Sequence, residues 1–136
     1  MTWLLIVAAS LPLAGGDPPA VVWSLDRASP VLLKATISPG WHIYSLTQPA
    51  GGPNATRIWL PEGQAWKLTG RVLGPQPRKK YDGAFDMEVE SHEGDVIFRL
   101  PAASSGSTGA PIVVRVYFQA CNDKVCHPPQ TVEIAK

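Results

Sequence analysis

The chain has 136 residues, enough for one domain with a substantial core. Its formal net charge of +1 leaves no electrostatic case for nucleic-acid binding. Fourteen prolines, twelve glycines and only 17% charged residues fit many short strands and turns better than helices.

Trp3 to Leu13 is an apolar run about as long as the hydrophobic part of a signal peptide and too short to cross a bilayer as a helix. Ala14, Gly15 and Gly16 supply small residues for cleavage, although Met1 and Thr2 carry no lysine or arginine. The competing reading is a buried first strand. Residues 1–16 are expected to be an export signal, with the mature domain spanning 17–136 and starting near Asp17. Export would put the chain in an oxidising compartment, where a disulfide persists.

Val21 to Leu25 and Val31 to Ile37 read as strands, the second alternating only partly, as a strand buried on both faces would. Pro39-Gly40 signals a turn. In the next strand, Trp41 to Ser45, side chains at i and i+2 share a face, so His42 and Tyr44 point one way and Trp41 and Ile43 the other. That His–Tyr face is either the polar, solvated side of a sheet or part of a thiol site. A histidinium stabilises a nearby thiolate, and a tyrosine can donate to sulfur.

Gln48 to Thr56 is a loop, Arg57 to Leu60 and Ala65 to Leu73 read as strands, and Trp59 and Trp66 are expected in the core. Gly74 to Asp82, with Arg78, Lys79 and Lys80 together, reads as a solvated loop. Met87 to Glu93 and Asp95 to Leu100 read as a hairpin around Gly94. Ala102 to Ala110 reads as a flexible linker of small residues. The strand Ile112 to Gln119 leads to the cysteines, and Thr131 to Ile134 closes the sheet. Eight or nine short strands of this kind imply an all-β sandwich.

The stretch YFQACNDKVCHPPQT, Tyr117 to Thr131, holds the only two cysteines, Cys121 and Cys126, four residues apart. Asn122 and Asp123 are turn formers, and four residues is a common hairpin connection. Such a turn could bring the two Cα atoms within the roughly 4.4–6.8 Å that a disulfide needs. Three readings stay open: a structural hairpin disulfide, a switchable exposed disulfide, and a metal site using His127. Zinc usually wants four ligands at shorter local spacings, and there is no second cysteine pair. Haem attachment uses C-x-x-C-H, and the interval here is two residues too long.

The same stretch resembles the reactive segment of the N-terminal periplasmic domain of the thiol:disulfide interchange reductase DsbD. That family has an aromatic-Gln-x-Cys run, a short loop, a second Cys and a Pro-Pro pair, here Phe118, Gln119, Cys121, Cys126, Pro128 and Pro129. PGWHIYSLTQPAGGPNAT, from Pro39 to Thr56, and KKYDGAF with the acidic and apolar residues up to Val89 extend the likeness, which covers roughly Ala20 to Lys136. Two departures are the loop, which can be a residue longer in the family, and His127, where an aromatic is common.

The resemblance implies an immunoglobulin-like domain relaying electrons in the periplasm by thiol–disulfide exchange, a chemistry that also serves cytochrome c biogenesis. It implies that Cys126 joins partners and Cys121 resolves. His42 and Tyr44 would flank the pair, and a cap over Tyr81 to Asp86 would shield the sulfurs with Phe85. Thioredoxin-fold proteins are the expected partners, with the donor acting in trans, since the membrane-spanning and thioredoxin-like parts of the family's reductase are not in this sequence. No metal, haem or nucleotide is required, the mature chain is expected to have no transmembrane helix, and a monomer is expected. The alternatives are a non-catalytic immunoglobulin-like binding module with a structural disulfide, or a metal-handling domain.

Overall fold

The computed structural model describes residues 18–136, so the expected export signal lies outside the described residues. Twelve strands follow one another: β1 (Val21–Asp26), β2 (Val31–Ile37), β3 (His42–Tyr44), β4 (Arg57–Trp59), β5 (Trp66–Leu68), β6 (Arg78–Asp82), β7 (Met87–His92), β8 (Asp95–Leu100), β9 (Ala102–Ser104), β10 (Val113–Phe118), β11 (Ala120–Cys121) and β12 (Gln130–Ala135). They form sheets in the orders β1-β2-β8, β12-β10-β4 and β11-β3-β7-β6, with β5-β9 as a separate pair. Every pairing between these strands is antiparallel. The all-β expectation is met.

Period-2 alternation builds the core. Val31, Leu33, Ala35 and Ile37 of β2 point inward, as do Val96, Phe98 and Leu100 of β8 and Val114, Val116 and Phe118 of β10. Leu32 and Lys34 are only partly covered and Thr36 is exposed, so β2 is buried on one face and not on both. Trp23 joins the layers, with its ring centroid 6.2 Å from Phe98 and 5.2 Å from Phe118. Truncating either phenylalanine to alanine should cost about 3–5 kcal/mol, because a rigid core does not refill the cavity.

Four further expectations are corrected. β7 and β8 are not a hairpin. β7 pairs with β3 and β6, whereas β8 pairs with β2 from Val31↔Leu100 to Thr36↔Asp95. Gly94, at φ +67°, passes the chain from one sheet to the other, and its carbonyl accepts from Ile37 N at 2.9 Å. The basic stretch Arg78–Asp82 is not a loop but the edge strand β6, where exposed charge also blocks pairing with another chain.

The small-residue linker contains β9, which pairs with β5 through Trp66↔Ser104, Lys67↔Ala103 and Leu68↔Ala102. Its far end is held by Trp66 Nε1 donating to Ala110 O at 2.8 Å and Arg27 donating to Gly109 O at 2.9 Å. The long strand expected up to Leu73 stops at Leu68, and Leu73 instead makes an isolated bridge to Arg99.

The sheet β11-β3-β7-β6 positions the cysteines. Ile43 and Ala120 turn into the main core, with His92 packed edge-on against Phe98. The opposite face carries Tyr44, Val89 and Cys121 as a second small buried cluster, with Met87 against it.

Candidate functional site: a disulfide beneath a hairpin tip

β10 runs almost directly into β11, so an apolar strand anchored in the core delivers Cys121 to the end of the sheet. Asn122 then reverses the chain. Its side-chain oxygen accepts from Lys124 N and Val125 N, both at 2.8 Å, which replaces backbone pairing inside the tight turn.

Asn122 N donates to Val125 O and His127 N donates to Ala120 O, each at 2.8 Å. These two bonds flank Cys121 and Cys126, making them a pair without ladder bonds of its own, the kind in which facing Cα atoms approach closest. The Cα atoms are 4.0 Å apart and the sulfurs are bonded at 2.04 Å. Cys121 is 2% exposed, whereas Cys126 is exposed beyond the turn. The exposed Pro128 and Pro129 follow and can donate no backbone hydrogen bond.

β3 lies directly beside β11, with Cys121 opposite His42 and Ala120 opposite Ile43. His42 and Tyr44 therefore share one face, as their parity implied, and it is the face that carries Cys121. His42 Nε2 and Tyr44 Oη are 3.0 Å apart. Burial lowers the pKa of His42 below its usual 6.5, opposed by Glu93, Asp123 and Asp82. Burial, with Asp82 adding to it, pushes the Tyr44 hydroxyl up to about 12, so Tyr44 keeps its proton at neutral pH.

The β6–β7 hairpin supplies the other wall. Its tip is shaped by Asp82 accepting from Ala84 N at 2.8 Å and by the Tyr81 hydroxyl donating to the Asp86 carboxylate. Asp86 closes the turn in the left-handed region, at φ +52°. Gly83, Ala84 and Phe85 line a cleft of about 450 Å³ together with His42, Tyr44 and both cysteines. Phe85 is half-buried there. The segment expected as a cap is this hairpin tip, which is carried by strands and not by a loop and shares the lining of the cleft with both cysteines.

His127 is not in the cleft. Its ring sits 4.4 Å from Trp41 on the other face of the sheet, as adjacent strand positions require. Among the described residues, no group of three or more His, Cys, Asp or Glu side chains could hold a metal ion. No described helix is long and apolar enough to cross a membrane.

Sequence reasoning missed the polar knot that fixes β3 against β7. Ser45 Oγ and Thr47 Oγ1 both donate to Glu90 Oε1, at 3.0 and 2.6 Å, and Glu90 N donates to Gln48 Oε1 at 2.7 Å. Buried Thr56 adds a bond from its hydroxyl to Tyr44 O at 2.5 Å. It also missed the charges in the cleft wall: Arg78 and Lys80 on β6, and Asp82, Glu93 and Asp123 around His42. The alternation Arg78-x-Lys80-x-Asp82 is the available signal, which a loop reading of so basic a segment hides.

Comparison with known proteins gives a family and a fold. The family model "Thiol:disulfide interchange protein DsbD, N-terminal" matches residues 17–136. The crystal structure of the Neisseria meningitidis DsbD N-terminal domain in the reduced form is similar, with TM-score 0.62 and 18% identity over 86% of this chain and 84% of that one. That likeness makes the fold an immunoglobulin-like β-sandwich. No curated protein matches the sequence.

Proposed function

The chain belongs to the family of DsbD N-terminal domains, which makes it a thiol–disulfide exchange domain, and from that premise we propose that it relays electrons from a thioredoxin-like donor to oxidised proteins of the periplasm. The observation that carries this reading is the asymmetry of the disulfide. Exchange needs one sulfur that an incoming thiolate can reach and another that leaves. Cys126 is exposed at the rim of the cleft, while Cys121 is buried against Tyr44 and Val89.

The relay has two halves. A donor thiolate attacks Cys126 Sγ, a mixed disulfide forms, and Cys121 leaves as the thiolate. The donor's second thiol then releases the reduced domain. In the other half, the Cys126 thiolate attacks an oxidised partner, and Cys121 attacks Cys126 Sγ to expel the partner reduced. His42, Tyr44 and Phe85 form the shell around the sulfurs, with Phe85 as the shield. No cofactor enters either half. The domain acts as a monomer, exported by residues 1–16, and can serve cytochrome c biogenesis among other reductive tasks.

Single-cysteine variants test this. Cys121→Ala, which leaves Cys126 free, should accumulate mixed disulfides with thioredoxin-fold proteins on non-reducing gels, identified by mass spectrometry. Cys126→Ala should trap few or none. Equal trapping by both would remove the role assignment, and none by either would favour a structural disulfide.

A further inference from the structure

The second half of the relay leaves a proton problem. In the mixed disulfide, Cys121 waits as a thiol in an apolar cluster with Tyr44 and Val89, and burial there raises a thiol's pKa. It must nevertheless become a thiolate to attack Cys126. Some group on the same face has to take its proton.

The cleft restricts the choice. Its proton acceptors are the carboxylates of Asp82, Glu93 and Asp123 and the imidazole of His42, whereas Arg78, Lys80 and Lys124 are donors only, and a general base works best when its own titration lies near the operating pH. Tyr44 holds its proton to about 12. His42 is the one lining side chain among the described residues that changes charge near neutrality. It is also directly opposite Cys121 in the β3–β11 register, where facing Cβ atoms lie about 4.5–5.5 Å apart.

Resting on the exchange reading above, we propose that His42 is the general base for the resolving step and that Tyr44 is its positioning residue. Nε2–H donates to Tyr44 Oη across the 3.0 Å contact, which leaves the Nδ1 lone pair for the Cys121 proton. The Cys121 thiolate then attacks Cys126 Sγ. The Cys121–Cys126 bond forms, the bond from Cys126 to the partner breaks, and the partner leaves as a thiolate with the electron pair. The imidazolium, held among Asp82, Glu93 and Asp123, passes its proton to that thiolate or to water. The lowering of the His42 pKa by burial suits the role, since the ring is neutral and able to accept at neutral pH.

The test uses the reduced protein and one equivalent of the symmetrical aromatic disulfide of thionitrobenzoate. Attack by Cys126 releases the first coloured thiolate in a concentration-dependent phase. Resolution by Cys121 releases the second in a concentration-independent phase. The second phase of the wild-type protein should rise with pH through a midpoint below 6.5 and level off by neutrality.

His42→Gln should lose that limb and be at least about tenfold slower in the second phase near neutral pH, with the first phase within about twofold. Tyr44→Phe should keep the limb, displaced in pH. A wild-type second phase that climbs only in the alkaline range would overturn the proposal without any variant. So would an acid limb retained by His42→Gln, or one abolished instead by Asp82→Asn. A wild-type protein that never releases the second equivalent would overturn the exchange reading itself, and this proposal with it.

Discussion

Reducing the disulfide should cost little stability, and the size of that cost follows from the hairpin. The bond closes a loop between residues only five apart in sequence. For so short a loop the chain-entropy model gives about 2 kcal/mol. The fold has other sources of support here. Cys121 is anchored by the β3 pairing and by His127 N donating to Ala120 O, and the turn by Asn122; none of these bonds needs the sulfurs joined.

Linkage then requires the folded chain to favour the disulfide, relative to the unfolded chain, by the same amount, which is about 40 mV for a two-electron couple. Urea unfolding of the oxidised and reduced forms, followed by tryptophan fluorescence, measures the first quantity. Titration against a thiol–disulfide buffer in the native and urea-unfolded states measures the second. A loss above about 4 kcal/mol, or unfolding on reduction, would refute the reasoning and make the bond a structural staple.

Phe85→Ala should speed attack by a small thiol on the oxidised protein while changing the melting temperature little, because a half-buried hairpin-tip residue adds less to the core than a buried one; an unchanged rate would count against the shield. Glu90→Ala should destabilise by about 1.5–3 kcal/mol in urea, since two hydroxyls lose a charged acceptor, and a change below about 0.5 kcal/mol would show that the knot holds nothing. Burial lowers the pKa values of His42 and His92 in the folded chain. Below 6.5 the unfolded chain therefore binds more protons at these sites, and their contribution to stability should fall on acidification through that window. His92→Gln should flatten this dependence in pH-dependent urea melts. N-terminal sequencing of exported protein should begin near Asp17, and an intact Met1 on cytoplasmic protein would contradict export.

The amino-acid sequence alone determines the local features of the chain. The turn at Asn122 lies between the only two cysteines, so their closure needs six consecutive residues and nothing else. The shared face of His42 and Tyr44 follows from strand parity alone, and Trp41 and His127 are likewise forced to the opposite side. The inward residues of β2, β8 and β10 follow from alternation in the same way.

What local pattern could not decide was partnership. β7 and β8 look like a hairpin because only Glu93 and Gly94 separate them, yet β8 gains a six-position register with β2, far away in sequence, and β7 is claimed by β3 and β6. β6 and β9 have strand geometry because an already formed neighbour satisfies their backbone groups, against compositions that alone favour a solvated loop and a flexible linker. The difference in exposure between Cys121 and Cys126 has a local signal, an apolar strand ending at the first and two prolines after the second, but its size is tertiary. Two identical side chains in one tight turn become buried and accessible only because β3 and Tyr44 cover one of them and no strand covers the other.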